Sequence, residues 1–126
     1  MTPTILVLLA ALASPVRDSE PAHLVDDAKH IIALLNAGHA DSVQSRMTAT
    51  LQSQRTAVQR DSVWHVLVQQ VGAFKRFGRS RVEAGAAGTR TVDMEVVFAH
   101  QPVEALVTYD ADDRISALAF RFDAGS

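Results

Sequence analysis

The chain has 126 residues, 48% of them apolar and 21% charged, which suits one globular core and leaves no case for two domains. With 12 Lys and Arg against 14 Asp and Glu, the net charge of −2 offers no electrostatic footprint for nucleic acid or an anionic membrane. There is no cysteine, so disulfides, thiolate metal sites, cysteine nucleophiles and an N-terminal lipid anchor are excluded.

In chain order, the first feature is MTPTILVLLAALA, residues 1–13. Ile5 to Leu12 has the length of a signal-peptide h-region and is too short to span a bilayer, and Ala11-Leu12-Ala13 supplies the small-x-small pattern of a cleavage site. Cleavage after Ala13 and export, periplasmic or extracellular, are expected, with no membrane anchor afterwards. The n-region has no Lys or Arg, and the competing reading is a hydrophobic strand or helix kept in the fold. Residues 14–20 read as a short linker, and a single domain is expected over 21–124.

From Pro21 to about Asn36, Leu24, Ala28, Ile31, Ile32 and Leu35 fall on one stripe when successive residues advance by about 100°. Ser19 and Pro21 suit the entry to this helix and Gly38 its exit. His23, Asp26, Asp27 and His30 are assigned to the opposite, polar face; their spacing could in principle share a metal, but a solvated face explains them without one. Asp41 can cap a second helix carrying Val43, Met47 and Leu51. Thr56 can cap a third that runs to Val71 and closes at Gly72, with Trp64, Leu67, Val68 and Val71 on one buried stripe and His65 at its margin.

Beyond Gly72 the period becomes two. Phe74 to Glu83 reads as a strand and Gly85 to Gly88 as a turn. RTVDMEVVF puts Val92, Met94, Val96 and Phe98 on one face, with Thr91, Asp93 and Glu95 on the other. VEALVTY (103–109) and ISALAFRF (115–122) follow, joined by DADDR. Helices followed by a four-stranded antiparallel meander predict an α+β fold, with the helices packed on one sheet face.

Four segments in this order and spacing, LLNAGHADSV, SVWHVLVQQVGAF, EVVFAH and VTYDADDRISAL, resemble the family catalogued as domain of unknown function 3887. That family belongs to the nuclear-transport-factor-two-like, cystatin-like superfamily. The resemblance covers nearly all of residues 20–124 and implies a cystatin-like cone, a curved sheet wrapped on a long helix with an open end for a small apolar ligand. Family members occur alone behind a signal peptide or ahead of an α/β-hydrolase domain. The absence of a G-x-S-x-G elbow makes this chain resemble the stand-alone exported type. No shared activity comes with the family, so function must be argued from pocket residues.

On that fold Trp64, Val68, Phe74, Met94, Val96, Phe98 and Tyr109 are the candidate ligand-binding residues. No catalytic residue, metal or cofactor is assigned. Strand parity turns Asp93 and Glu95 away from the helices, and Tyr109 shares parity with Val103, Ala105 and Val107, which buries its ring with the hydroxyl near a rim. Val97, Ala99, Leu106, Ala117 and Ala119 make the outer face partly apolar among Thr91, Asp93, Glu95, Glu104 and Arg121, which fits a homodimer through the sheet face. The leading expectation is a non-enzymatic exported domain that binds a small apolar ligand, self-associates, or both. Two alternatives stand beside it: a cone-type isomerase, cyclase or hydrolase using Asp93, Glu95, His65 or Tyr109, and an accessory module for a separately encoded α/β hydrolase.

Overall fold

Residues 20–122 are described in the computed structural model; the expected signal peptide and residues 14–19 of the linker lie outside them. Helix α1 occupies residues 20–36 and buries Leu24, Ala28, Ile31, Ile32 and Leu35, the expected stripe. Packing of that stripe, more than intrinsic propensity, holds such a helix. Gly38, at φ +85°, turns the chain out of it, and His39 N–H closes the end on the Leu34 carbonyl at 2.8 Å.

The second helix departs from expectation. It is two short helices, α2 (Ala40–Gln44) and α3 (Ala49–Gln54), and the cap of α2 is His39 without a side-chain hydrogen bond, so Asp41 sits in the first turn instead. The break has a tertiary cause. Arg46 and Thr48 exchange backbone hydrogen bonds with Ile115, and Met47 forms a parallel bridge to the same residue. Val43, Met47 and Leu51 are buried nonetheless.

Helix α4 (Ala57–Val71) begins with a capping box: the Gln59 N–H donates to Thr56 Oγ1 at 3.1 Å, and the Thr56 N–H to Gln59 Oε1 at 2.8 Å. Trp64, Leu67 and Val71 are buried as expected, and Val68 is half-buried. Gly72 ends α4 at φ 89°, ψ −176°, a region open in practice only to glycine. A Cβ there would also meet Ala99 and His100 at 2.8 Å, so this glycine sets how closely the helix layer meets the sheet.

Four strands, β1 (Phe74–Ala84), β2 (Arg90–Phe98), β3 (Pro102–Tyr109) and β4 (Ile115–Arg121), form one antiparallel sheet in the order β1-β2-β3-β4. Sequential hairpins need only short connections, which the Gly-rich turn after β1 and the 110–114 turn supply. In the latter the Asp110 carboxylate accepts from the N–H groups of Asp112 and Arg114, both at 2.9 Å. Irregular register at Phe74/Arg76 and Phe77/Ser80 marks bulges in β1, a device that bends a sheet. Val92, Met94, Val96 and Phe98 join Val103, Ala105, Val107, Tyr109 and Ile115 in one core with the helix stripes. The architecture is therefore α+β with an open sheet: α2 lies against α4, and α3 against β4. No helix of the described residues is long and apolar enough to cross a membrane.

Candidate functional site

Helix α4 and strand β4 do not close on each other, and a groove of about 330 Å³ remains between them. One wall is Leu118, Ala119 and Phe120 of β4 with Phe122 just beyond it; the α4 wall is Val63, Trp64, Val66 and Leu67. The i, i+3, i+4, i+7 positions Val63, Val66, Leu67 and Gln70 share one side of α4, which explains why that side lines the groove over two turns. The three large hydrophobic residues exposed among the described residues are Val58, Val63 and Val66, and two of them lie here. Trp64 forms the floor, 4% exposed, with ring centroids 5.7 Å from both Phe98 and Phe120.

At the amino-terminal end of α4 the lining turns polar. Arg60 is 9% exposed, donates from Nε to Gln44 Oε1 at 2.6 Å and from Nη2 to the Leu51 carbonyl at 2.7 Å. Gln44 in turn donates to the carbonyls of Gln52 and Arg55, so a chain of hydrogen bonds ties α2, the end of α3 and α4 together beside the groove. Burial, and then the neighbouring charge of Arg55, lower the Arg60 pKa from its ordinary value. Arg55 and Arg60 both line the groove.

Of the seven residues expected to line a pocket, Trp64 lines this groove. Val68 and Phe74 are half-buried, and Met94, Val96, Phe98 and Tyr109 are buried in the core; none of these six is on its wall. The other lining residues, among them Arg55, Arg60, Val63, Val66, Leu118, Phe120 and Phe122, were not singled out as such from the sequence. For Arg60 a signal existed: it sits four residues before Trp64, a charged side chain on the buried stripe. For Leu118 and Phe120 a signal also existed, since Ala117 and Ala119 on the outer face turn them inward, beside Val107 and Ala105; the one-residue irregularity between Thr108 and Tyr109 brings Ile115 to the same face.

The four candidates for acid-base chemistry are dispersed. His65 is exposed and bonded through Nδ1 to the Asp61 carbonyl oxygen at 2.9 Å. Asp93 and Glu95 line a separate open hollow of about 590 Å³ on the outer sheet face, where Arg81 pairs with Asp93 at 3.2 Å. Tyr109 is fully buried and donates its hydroxyl to Asp27 Oδ2 at 2.6 Å. None of the four lines the groove.

Asp27 itself corrects the helical-face assignment. It lies not on the solvent face with His23, Asp26 and His30 but at the margin of the buried stripe, three residues after Leu24 and four before Ile31. There Arg46 clasps both its oxygens, at 2.8 and 3.0 Å, beside the Tyr109 hydroxyl. Burial opposes ionisation of Asp27, but the hydrogen bonds from Arg46 and Tyr109, with the charges of Arg46 and His23, outweigh it and hold its carboxyl below the usual range. Burial, and then the Asp27 hydrogen bond, push the Tyr109 hydroxyl well above its ordinary value. Asp27 thus has both oxygens committed, an arrangement suited to locking α1, the α2–α3 connection and β3 together and not to abstracting a proton. Among the described residues no group of three or more His, Asp or Glu could hold a metal ion.

A family profile described as "Protein of unknown function (DUF3887)" matches residues 28–118. An NMR structure of a protein from Ruminococcus gnavus ATCC 29149 is similar, with 26% identity and a TM-score of 0.58, over 72% of this chain and 82% of that one. No curated protein matches the sequence.

Proposed function

The chain belongs to the family of proteins of unknown function DUF3887, and from that premise we propose that it is an exported, non-enzymatic domain whose α4–β4 groove binds a small apolar ligand. One observation carries this reading: an apolar groove of about 330 Å³, walled by Trp64, Leu67, Leu118, Phe120 and Phe122, keeps Val63 and Val66 exposed when a closed core would cover them. That volume lies at the small end of ordinary ligand sites, which combine apolar walls with a few placed polar groups. The dispersal of His65, Asp93, Glu95 and Tyr109 supports binding over proton transfer, because a general base must come within hydrogen-bonding reach of its substrate.

Trp64 is the only tryptophan, so its emission reports directly on the groove. Titration with medium-chain apolar compounds is expected to shift that emission saturably and raise the unfolding temperature. Val66→Glu, which places a carboxylate on an exposed part of the wall, is expected to weaken binding by about tenfold or more while leaving the fold intact. Lack of saturable binding across a set of such compounds would remove the proposal.

A second reading concerns the outer sheet face. The register sets Leu106 beside Ala119 and Thr108 beside Ala117, a small-residue patch bordered by the Glu104–Arg121 pair at 2.9 Å. We propose that two copies meet here, since a patch of small side chains lets two sheets approach closely. Sedimentation equilibrium should give a dimer for the wild type and a monomer for Leu106→Glu. A wild-type monomer at the highest soluble concentration would end this reading.

A further inference from the structure

The charge of the groove is one-sided. Its twelve lining residues include two arginines and no aspartate or glutamate. Among the described residues no carboxylate pairs with Arg55 or Arg60, nor with Arg76, Arg79 or Arg114, whereas Arg46, Arg81, Arg90 and Arg121 each have at least one; of the five without a partner, only Arg55 and Arg60 line the groove. Arg60 uses Nε and Nη2 on Gln44 and Leu51, which orients the guanidinium and leaves Nη1 without a hydrogen bond to the described residues. A buried cation without a counter-ion is costly, and its cost falls when an anion arrives. Both arginines also lie at the amino-terminal end of α4, where the helix dipole adds positive potential instead of offsetting it.

Arg60 and Gln70 are ten residues apart on α4 and mark the two polar ends of the apolar wall, about 15 Å along the helix axis. From this arrangement we infer that the ligand is a single-chain amphiphile with an anionic head, a medium-chain carboxylate, its chain running along Leu67, Leu118 and Phe120 and its head between Arg55 and Arg60. Planar guanidinium groups suit carboxylates because two N–H donors meet two oxygens. The inference rests on the groove being a ligand site and adds the charge and orientation of what it takes.

The test is a set of three titrations below the micellar range, read by Trp64 emission: decanoate, decanol and decyltrimethylammonium. Decanoate is expected to bind at least about tenfold more tightly than decanol, and the cation most weakly. Arg55→Gln and Arg60→Gln should each remove most of the decanoate advantage over decanol measured on the same variant, and rising salt should shrink the same advantage. Arg60→Gln also disturbs the bonds to Gln44 and Leu51, so Arg55→Gln, an exposed side chain outside that network, decides the matter if the first variant is unstable. Equal affinity for decanoate and decanol, or an advantage untouched by Arg55→Gln, overturns the anionic head and leaves the apolar groove standing. Failure of all three probes overturns the groove reading itself.

Discussion

Replacing Trp64 by alanine is expected to cost about 3–5 kcal/mol, the range for removing a large aromatic side chain from a packed core. The side chain is 4% exposed and touches two non-adjacent strands on the sheet's inner surface, meeting Phe98 on β2 and Phe120 on β4 at centroid distances of 5.7 Å, tilted by 54° and 65°. Tilted and edge-on contacts of this kind add to the area term. A hole at this point would merge with the α4–β4 groove, so water could enter it, which limits collapse around the site. Trp64→Phe should cost less, since it keeps an aromatic contact to both partners. Urea unfolding followed by far-ultraviolet circular dichroism measures the loss; emission cannot serve, because the variant has no tryptophan. A loss below about 1 kcal/mol would place Trp64 among ordinary surface substitutions and contradict its role as the joint between helix layer and sheet.

The second large effect concerns Asp27. Asp27→Ala removes a carboxylate that accepts from Arg46 at 2.8 Å and Tyr109 at 2.6 Å, and leaves the fully buried tyrosine with an unpaired hydroxyl. The expected cost is about 2–3 kcal/mol, as hydrogen bonds to charged groups and orphaned buried donors both suggest. Tyr109→Phe should cost about 1–2 kcal/mol, and the double variant less than the sum, because both changes delete the same interaction. The effect also has a defined pH dependence. Since the folded carboxyl titrates below its ordinary value, the unfolded chain takes up a proton first as pH falls, and stability drops. The contribution is complete above about pH 5, declines from about pH 4, and is lost as pH passes below the depressed folded value. The stability gap between wild type and Asp27→Ala should therefore be flat through neutral pH and narrow in acid. A gap unchanged down to about pH 2 would show that the Asp27 charge is not what holds the three segments together.

Much of the architecture was readable from spacing. The α1 stripe, the Thr56 cap, the Gly72 stop and the inward set Val92, Met94, Val96 and Phe98 all express local rules, a helical period of 3.6 and a strand period of two, that hold whatever the rest of the chain does. Where a residue's role depended on a distant partner, the local rules misplaced it or were silent. Asp27 went to the polar face because a carboxylate is expected in water; Tyr109, 82 residues away, and Arg46 draw it in. The expected single helix after Asp41 broke because Arg46, Met47 and Thr48 bond to Ile115 across 67 to 69 residues.

The groove shows the same division. Amphipathic patterning placed Trp64 and Leu67 on an inner face but could not say that β4 stops short of α4, since that gap depends on how a bulged strand, a broken second helix and the Arg60–Gln44 bonds settle together. The amino-acid order alone determined most element types and the inward faces of α1, α4 and β2, because periodicity and caps act within a few residues. Only the tertiary structure decided which polar groups are satisfied and which wall stays open, because burial, charge pairing and gap volume are set between segments far apart in the chain.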